Sequence, residues 1–175
     1  LLGTLAAYGL VNWESKASRV ITLLFLAGMM VPIRIASINL LQIMKAMGLL
    51  DKLVGLLPIY IAMGMPMAIL ILSEYLRTIP RELTQAAHID GAGSFRIFWM
   101  IIIPLARPAL ATVAIFNLVN IWNDLWFPLI FIRSEEQRTL MLGVTRLFGQ
   151  YQTDWTKILA TLTMATIPIL LLYLA

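Results

Sequence analysis

Cysteine is absent from this 175-residue sequence, histidine occurs once, and charged residues are scarce. Without cysteine the chain has no disulfides and no thiol-based redox or metal chemistry. A single histidine also excludes a histidine-rich metal site. Charged residues make up 13% of the chain and the net charge is only +4. A net positive charge this small is more typical of loops near anionic lipid than of a nucleic-acid-binding surface.

Apolar residues fill the place of the missing charges, at 61% of the chain. A membrane span needs about 20 mostly apolar residues. Five segments are candidate spans, the first of them short: 1–11, 20–41, 54–73, 108–132 and 158–174. Backbone groups in lipid must be satisfied internally, and these segments do not alternate apolar with polar residues, so helices are predicted instead of a barrel. The predicted fold class is all-α and polytopic, with residues 1–175 forming a single, partial transmembrane domain.

Both ends of the sequence lie inside apolar runs, and the first residue is Leu. We therefore expect a fragment that lacks an N-terminal portion and a C-terminal tail. Segment 1–11 has no basic region before it and no cleavage site after it, which favours the end of a spanning helix over a signal peptide. Cytoplasmic loops usually carry more Lys and Arg than external loops. Here the loops on each predicted side of the membrane hold six such residues, so charge does not predict which side is cytoplasmic.

One compact polar stretch, PRELTQAAHIDGAG at 80–93, interrupts the apolar runs. Pro80 suits a first helical position and Glu82 suits the first turn, where an anion meets the positive end of the helix dipole. Gly91 suits a left-handed residue that ends a helix. The pattern predicts a helix over 80–90, followed by a turn and a second apolar helix that runs to Pro104.

The predicted helix has a shallow face, because Leu83, Ala86 and Ala87 share one stripe. A flat small-residue face suits docking into a groove on another protein. A helix that rests on lipid is the alternative, although such helices usually bury Trp, Phe or Leu. The residues alone leave both interpretations open.

A family resemblance is carried by small, acidic and apolar residues at fixed spacing: Glu82, Ala86, Ala87, Gly91, Ile103, Pro104 and Leu105. These residues resemble the "EAA" loop in permease subunits of bacterial ATP-binding-cassette importers. The flanking IPREL and IDGAG resemble the carbohydrate branch of that family. MGLLDK, VNIWNDLWFPLIF and RTLMLGVTRLFGQYQTDW extend the resemblance over essentially the whole chain. Gln85 departs from the pattern, because Glu usually begins the triplet.

The resemblance implies a six-helix core, of which this chain holds helices two to six and lacks the first. It makes the loop at about 77–107 cytoplasmic and assigns coupling to an ATPase to six residues: Glu82, Gln85, Ala86, Ala87, Asp90 and Gly91. It implies no catalysis, metal or cofactor in this chain, since the partner ATPase binds ATP and Mg. The implied setting is the cytoplasmic (inner) membrane of a bacterium or archaeon. The implied partners are ATPase subunits, a second homologous permease, an extracytoplasmic solute-binding protein and the lipid bilayer, without nucleic acid.

Polar residues within the predicted fourth span are candidates for a substrate path: Asn117, Asn120, Trp122, Asn123 and Asp124. Asn117, Asn120 and Asp124 are spaced to share one stripe of a helix. Amides hydrogen-bond to hydroxyl groups and indoles stack on sugar rings, so a sugar would fit such a lining. Hydrogen bonding between helices, together with an interfacial aromatic belt, is the alternative.

Arg34 is a cation within the predicted second span. It either reaches the membrane interface along its apolar stem or meets an anionic substrate such as a glycerol phosphate. The main functional prediction is an importer permease that moves a sugar by alternating access. An importer permease for an anionic solute and a secondary transporter coupled through Asp124 are the alternatives. A membrane enzyme is not favoured, because no cluster of His, Asp, Glu or Cys is present.

Overall fold

The structure, a computed structural model, describes residues 1–13, 15–147 and 154–174. Within these ranges every regular element is helical, which confirms the all-α prediction. The α-helices are α1 (Leu2–Asn12), α2 (Lys16–Met30), α3 (Ser37–Ala46), α4 (Leu56–Arg77), α5 (Arg81–Ile89), α6 (Ser94–Ile97), α7 (Ile103–Leu105), α8 (Arg107–Trp122), α9 (Trp126–Phe131), α10 (Leu140–Val144) and α11 (Trp155–Leu174). Short 3-10 turns cover Ile33–Ala36, Leu53–Gly55 and Thr145–Leu147, and a π-helical turn covers Phe98–Ile102.

Two helical segments of the described chain are long and apolar enough to cross a membrane, Leu53–Arg77 and Trp155–Leu174. They contain the predicted spans 54–73 and 158–174. The number rises to four if each of two bent helix pairs counts as one span, namely α2 with Ile33–Ala46 and Ser94–Leu105 with α8. The apolar runs therefore predict where the long apolar helical segments lie better than they predict unbroken helices.

The predicted span 20–41 is interrupted at Val31 and Pro32. Proline has no N–H and disfavours helical geometry in the residue before it. Val31 is accordingly extended, with φ −82° and ψ 122°, so α2 ends at Met30. The predicted span is therefore not one unbroken helix: a 3-10 turn leads into α3, and the two parts qualify as a span only as a bent pair.

The helix after the polar loop differs in a smaller way from its prediction. It runs from Ser94 through the π-helical turn and past Pro104 to Leu105, and then bends at Ala106 into α8. A π-helical turn and a proline are both common causes of bends. The predicted end at Pro104 is therefore close, but the proline lies inside the element.

The chain divides into two compact units, each with its own core. Unit 1 comprises 1–31 and 62–114, and unit 2 comprises 32–61 and 115–175. The buried core residues of unit 1 come from α1, α4 and the 94–109 segment: Ala7, Tyr8, Ala68, Leu72, Leu76, Ile97, Phe98, Ile102, Ala106 and Ala109. A Cβ atom on Gly3 would lie 2.8 Å from Ala68 Cβ, so α1 approaches α4 closely because residue 3 has no side chain.

Aromatic and aliphatic side chains from α3, α4, α9 and α10 fill the core of unit 2: Met44, Leu56, Ile59, Phe127, Phe131, Ile132 and Leu142. The Phe127 and Phe131 rings lie 6.1 Å apart between centroids. This packing fixes the first turn of α9, and with it the polar residues that precede α9.

Candidate functional site

Helix α5 lies between two residues that define its ends. Pro80, with ψ 129°, immediately precedes the helix, so the predicted start is one residue early. Gly91 has φ +80°, and its N–H donates to the His88 carbonyl at 3.0 Å. The Ala92 N–H donates to the Ala87 carbonyl at 2.9 Å. These paired bonds form a Schellman motif, in which the left-handed residue is usually glycine, as the sequence predicts.

The two sides of α5 differ in burial. We call the exposed side, formed by Glu82, Leu83, Ala86 and Ile89, the outer face. Leu83 is 44% and Ile89 87% exposed. On the opposite side Thr84 and Ala87 are half-buried, and Ala87 packs against the core of unit 1. The predicted stripe is therefore divided, because Ala87 anchors the helix while Leu83 and Ala86 remain available to a partner.

The six residues predicted for ATPase coupling differ in their surroundings. Glu82, Ala86, Asp90 and Gly91 are exposed to solvent, with Glu82 and Ala86 on the outer face. Gln85 is also exposed but lines a cavity of about 390 Å³ behind the helix. Ala87 is the one residue of this set that packs against the core of unit 1, and the other five are exposed.

In unit 2, Asp124 organises a polar cluster at the start of α9. Its carboxylate accepts hydrogen bonds from the backbone N–H groups of Trp126 at 3.1 Å and Phe127 at 3.3 Å. The Tyr60 hydroxyl donates to the same carboxylate at 2.9 Å. Asp124 therefore satisfies two N–H groups that a helix start leaves without intrahelical partners.

The indole N–H and the ring face of Trp126 each have a partner in unit 2. Its indole Nε1–H donates to Ser37 Oγ at 2.9 Å, and Ser37 Oγ donates to the Arg34 carbonyl at 2.6 Å. The Arg34 guanidinium carbon lies 5.4 Å from the centroid of the Trp126 ring, within the range of a cation–π contact. Arg34 thus has a partner within its own unit.

The predicted stripe of Asn117, Asn120 and Asp124 does not persist in the structure. Helix α8 ends at Trp122, so Asp124 lies beyond it. Asn120 Nδ2 donates to the Phe116 carbonyl and Asn123 Nδ2 to the Val119 carbonyl, each at 2.9 Å. These amides bond to their own helical segment, and the prediction of one shared face is wrong beyond Trp122.

Trp122 and Asn117 complete the predicted path residues. The Trp122 indole Nε1–H donates to the Ala165 carbonyl at 3.1 Å, which joins α8 to α11. Asn117 is half-buried within α8. The bond from Trp122 favours the helix-packing interpretation for that residue.

Sequence reasoning missed two members of the Asp124 cluster, Ser37 and Tyr60. One signal for it is present in the sequence, because Asp124 stands just before the apolar run WFPLIF, as a helix-start residue does. The partners carry no local signal, since Tyr60 is 64 residues and Ser37 is 87 residues from Asp124 in sequence.

A second junction in unit 2 joins the loop before α4 to the loop after α9. Asp51 has φ +59°, and its Oδ1 accepts bonds from Arg133 N at 2.8 Å, Ser134 N at 2.7 Å and Ser134 Oγ at 2.9 Å. The backbone N–H groups of Ser134 and Arg133 lower the pKa of the Asp51 carboxyl below its usual value. Arg133 and Ser134 begin the segment between the last two predicted spans, and this junction holds that segment at its start. Residues 148–153 of the segment lie outside the described residues.

The whole chain, residues 1–175, matches the family model described as "Binding-protein-dependent transport system inner membrane component". The chain is 33% identical over 175 residues to the diacetylchitobiose uptake system permease protein NgcG of Streptomyces coelicolor. It is 33% identical over 176 residues to the melibiose/raffinose/stachyose import permease protein MelC of Bacillus subtilis. These matches cover 99% and 100% of the chain, but the chain spans only 58% and 64% of those two relatives.

A solved structure has the same fold. It is a crystal structure of a bacterial ABC transporter involved in the import of the acidic polysaccharide alginate. The likeness has a TM-score of 0.75 at 22% identity and covers 99% of this chain and 67% of that one. At this identity the likeness establishes the fold alone.

Proposed function

Because the chain belongs to the family of binding-protein-dependent transport system inner membrane components, we propose that it is a permease subunit of an ATP-binding-cassette importer. It moves a sugar, delivered by an extracytoplasmic binding protein, across the cytoplasmic membrane of a bacterium or archaeon. The sugar cargo is supported by relatives named for diacetylchitobiose and for melibiose, raffinose and stachyose. Transport by alternating access requires a second homologous permease to complete the pathway.

The observation that carries the proposal is the geometry of α5. The helix is anchored on unit 1 through Ala87 and ends at the positive-φ Gly91, while Leu83, Ala86 and Ile89 stay exposed. An anchored amphipathic helix with an exposed apolar face fits a groove on a partner protein. In this proposal the partner is the ATPase, which binds ATP and Mg, and Glu82 and Asp90 contribute charge at the rim of the contact.

The substrate path in this proposal runs beside α8 and the Asp124 cluster, near Asn117, Asn120, Asn123 and Trp122. Its chemistry favours a neutral cargo, because the Arg34 cation already contacts the Trp126 ring. Asp124 is held by Tyr60 and by two backbone N–H groups. A carboxylate with this helix-capping role is a poor candidate for the coupling group of a secondary transporter.

The test introduces a charge on the outer face of α5. Ala86→Glu places a carboxylate in the middle of this face and is expected to abolish binding-protein-dependent uptake in vesicles and co-purification of the ATPase. Gln85→Glu is the matched control, because it adds the same charge one residue earlier, on the cavity side, where the related permeases usually have Glu. We expect it to retain uptake.

Insertion of each variant into the membrane is measured alongside transport. If Ala86→Glu inserts normally and retains both uptake and the ATPase, the docking function of α5 is wrong. If uptake is lost in Ala86→Glu while Gln85→Glu transports normally, the outer face is the surface on which transport depends.

A further inference from the structure

The helical segment between the polar loop and α8 exposes large apolar side chains. It runs from Ser94 to Leu105 through α6, the π-helical turn and α7. Phe95 is 72%, Trp99 45% and Met100 62% exposed. The Phe95 and Trp99 rings meet edge to face, with 6.2 Å between their centroids. These three side chains project from the same side of the segment, and we call them the aromatic patch.

The opposite side of this segment is fixed on unit 1. Ile97, Phe98 and Ile102 are buried in the core of that unit, together with Ala106 at the end of the segment. The Phe98 ring lies 5.3 Å from the Tyr8 ring of α1 between centroids. Because the inner side is already packed, the segment cannot rotate to bury the aromatic patch. The patch therefore needs a partner outside unit 1 or remains exposed.

The charges beside the aromatic patch are all positive. Arg96 lies within the segment and Arg107 follows it, both are exposed, and no Asp or Glu occurs from residue 91 to residue 123. Arg96 Nε donates to Met100 Sδ at 3.3 Å, so the guanidinium lies along the patch. This contact uses one of its five N–H donors. Exposed aromatic residues combined with basic ones are typical of helices that lie in the surface of a bilayer.

The direction of the segment supports the same position. It joins the polar stretch 80–93 to the predicted span 108–132, so it passes through the membrane–water interface. Its twelve residues are about 18 Å long, too short to cross a hydrocarbon core of about 30 Å. It meets α8 at a bend of 75°. Since spanning helices tilt by about 20° on average from the membrane normal, a segment bent this far from α8 runs nearer to the membrane plane.

We propose that the aromatic patch lies in the interfacial region of an anionic lipid bilayer. Phe95, Trp99 and Met100 lie among the upper parts of the acyl chains, and the Arg96 and Arg107 guanidinium groups face lipid phosphates. Only the turn at 90–93 separates this segment from α5, so the lipid contact sets the depth at which α5 is held. The inference goes beyond the proposed transport function, because it assigns a lipid partner to residues outside α5 and is measured without transport.

The experiment measures the depth of a fluorophore in the bilayer. Because this chain has no cysteine, Phe95→Cys can be labelled with bimane, whose rings replace the phenyl ring. The full-length permease is placed, with a cysteine-free partner permease, in vesicles of phosphatidylcholine and phosphatidylglycerol. We expect strong quenching by lipids brominated near the headgroup end of the acyl chain and weaker quenching by lipids brominated near the chain end. Met100→Cys, on the same patch, should give the same order.

Ile89→Cys is the matched control, because Ile89 is an exposed apolar residue on the outer face of α5. Its label should not be quenched by either brominated lipid. Equally weak quenching at positions 95 and 89 would overturn the proposal. Loss of quenching at position 95 when ATPase subunits bind would assign the patch to the ATPase instead. Stronger quenching by bromine near the chain end would place the segment within the hydrocarbon core, as half of a broken span.

The basic residues are tested by changing the lipid charge. Anionic lipid attracts Lys and Arg near the membrane surface, so quenching at position 95 should weaken in vesicles of phosphatidylcholine alone. Arg96→Gln should reduce this dependence on phosphatidylglycerol. Arg133→Gln removes the same charge from an exposed residue of unit 2 and should leave the dependence unchanged. The same dependence in both variants, or none in the labelled protein with both arginines present, would overturn the contact with anionic lipid.

Discussion

The Arg34 guanidinium lies over the ring of Trp126, with 5.4 Å between its central carbon and the ring centroid. The ring cannot tilt away freely, because its indole N–H also donates to Ser37 Oγ at 2.9 Å. Arg34 is exposed apart from this contact, so its charge is held in place without being buried. The contact gives the cation a structural purpose that does not require an anionic substrate.

Arg34→Gln should therefore leave the uptake of a neutral sugar within about twofold of the wild-type rate, because the lost cation–π contact, worth about 0.5–1 kcal/mol, stabilises the fold of unit 2 and is not made with the sugar. The measurement is binding-protein-dependent uptake in vesicles at matched expression, with Arg34→Lys as the charge-preserving control. A large loss confined to a glycerol phosphate would instead assign an anionic cargo to the permease.

Asn120 should lie along an aqueous path. Its side chain is exposed, although the amide also bonds to the Phe116 carbonyl. In a chain without cysteine, Asn120→Cys is expected to react with a hydrophilic thiol reagent and to be protected by substrate. Leu118→Cys, on the opposite side of α8, is the control and should react slowly. Equal reactivity at the two positions, or none at Asn120 in every nucleotide state, would favour helix packing over a path.

Asp51 should stabilise unit 2 in a pH-dependent manner. The backbone N–H groups of Ser134 and Arg133 lower the pKa of the Asp51 carboxyl in the folded state. The carboxylate therefore stabilises unit 2 fully above the unfolded-state pKa of about 3.9. This stabilisation is lost as the pH falls through the lower pKa of the folded state. Asp51→Asn tolerates the same positive φ but carries no charge. The variant should melt below the wild type at pH 7, and the difference should shrink toward pH 3. A pH-independent difference would contradict the prediction.

Gly91→Ala should loosen the end of α5, because an alanine at φ +80° costs about 1–2 kcal/mol. Gly93→Ala is the matched control. Gly93 has φ −71°, a Cβ atom there would meet open space, and the same change should be neutral or stabilise by about 0.4–1 kcal/mol. The measurement is amide hydrogen exchange in 81–92, which should be faster in Gly91→Ala than in Gly93→Ala. Equal exchange in the two variants would contradict the requirement for a left-handed residue at position 91.

Local chemistry made much of the fold predictable. The bounds of α5 differ from the prediction by one residue at each end, because Pro80 and Gly91 act on the backbone next to them. The apolar length of 54–73 and 158–174 was sufficient to place α4 and α11. The prediction of an unbroken helix failed at Pro32. The apolar residues continue past this proline, but the proline ends the helix, and the prediction followed the apolar residues.

The partners of the candidate site were harder to predict, because they depend on contacts between distant parts of the chain. Asp124 was identified as unusual, but its bond to Tyr60 spans 64 residues and could not be read from spacing. Ala87 was assigned to the same stripe as Ala86, since both fit the helical period. Only the packing of α5 on unit 1 separates the inward from the outward alanine.

The bond from Trp122 to the Ala165 carbonyl makes this indole a native spectroscopic reporter. Pro168 lies in α11 and has no N–H to donate to the carbonyl of Met164, so the backbone bonding beside Ala165 is already weakened. The N–H stretching frequency of an indole depends on whether it donates a hydrogen bond. Isotopic labelling of Trp122 alone would therefore give an infrared signal that follows the separation of α8 from α11 while the transporter turns over, without an attached dye.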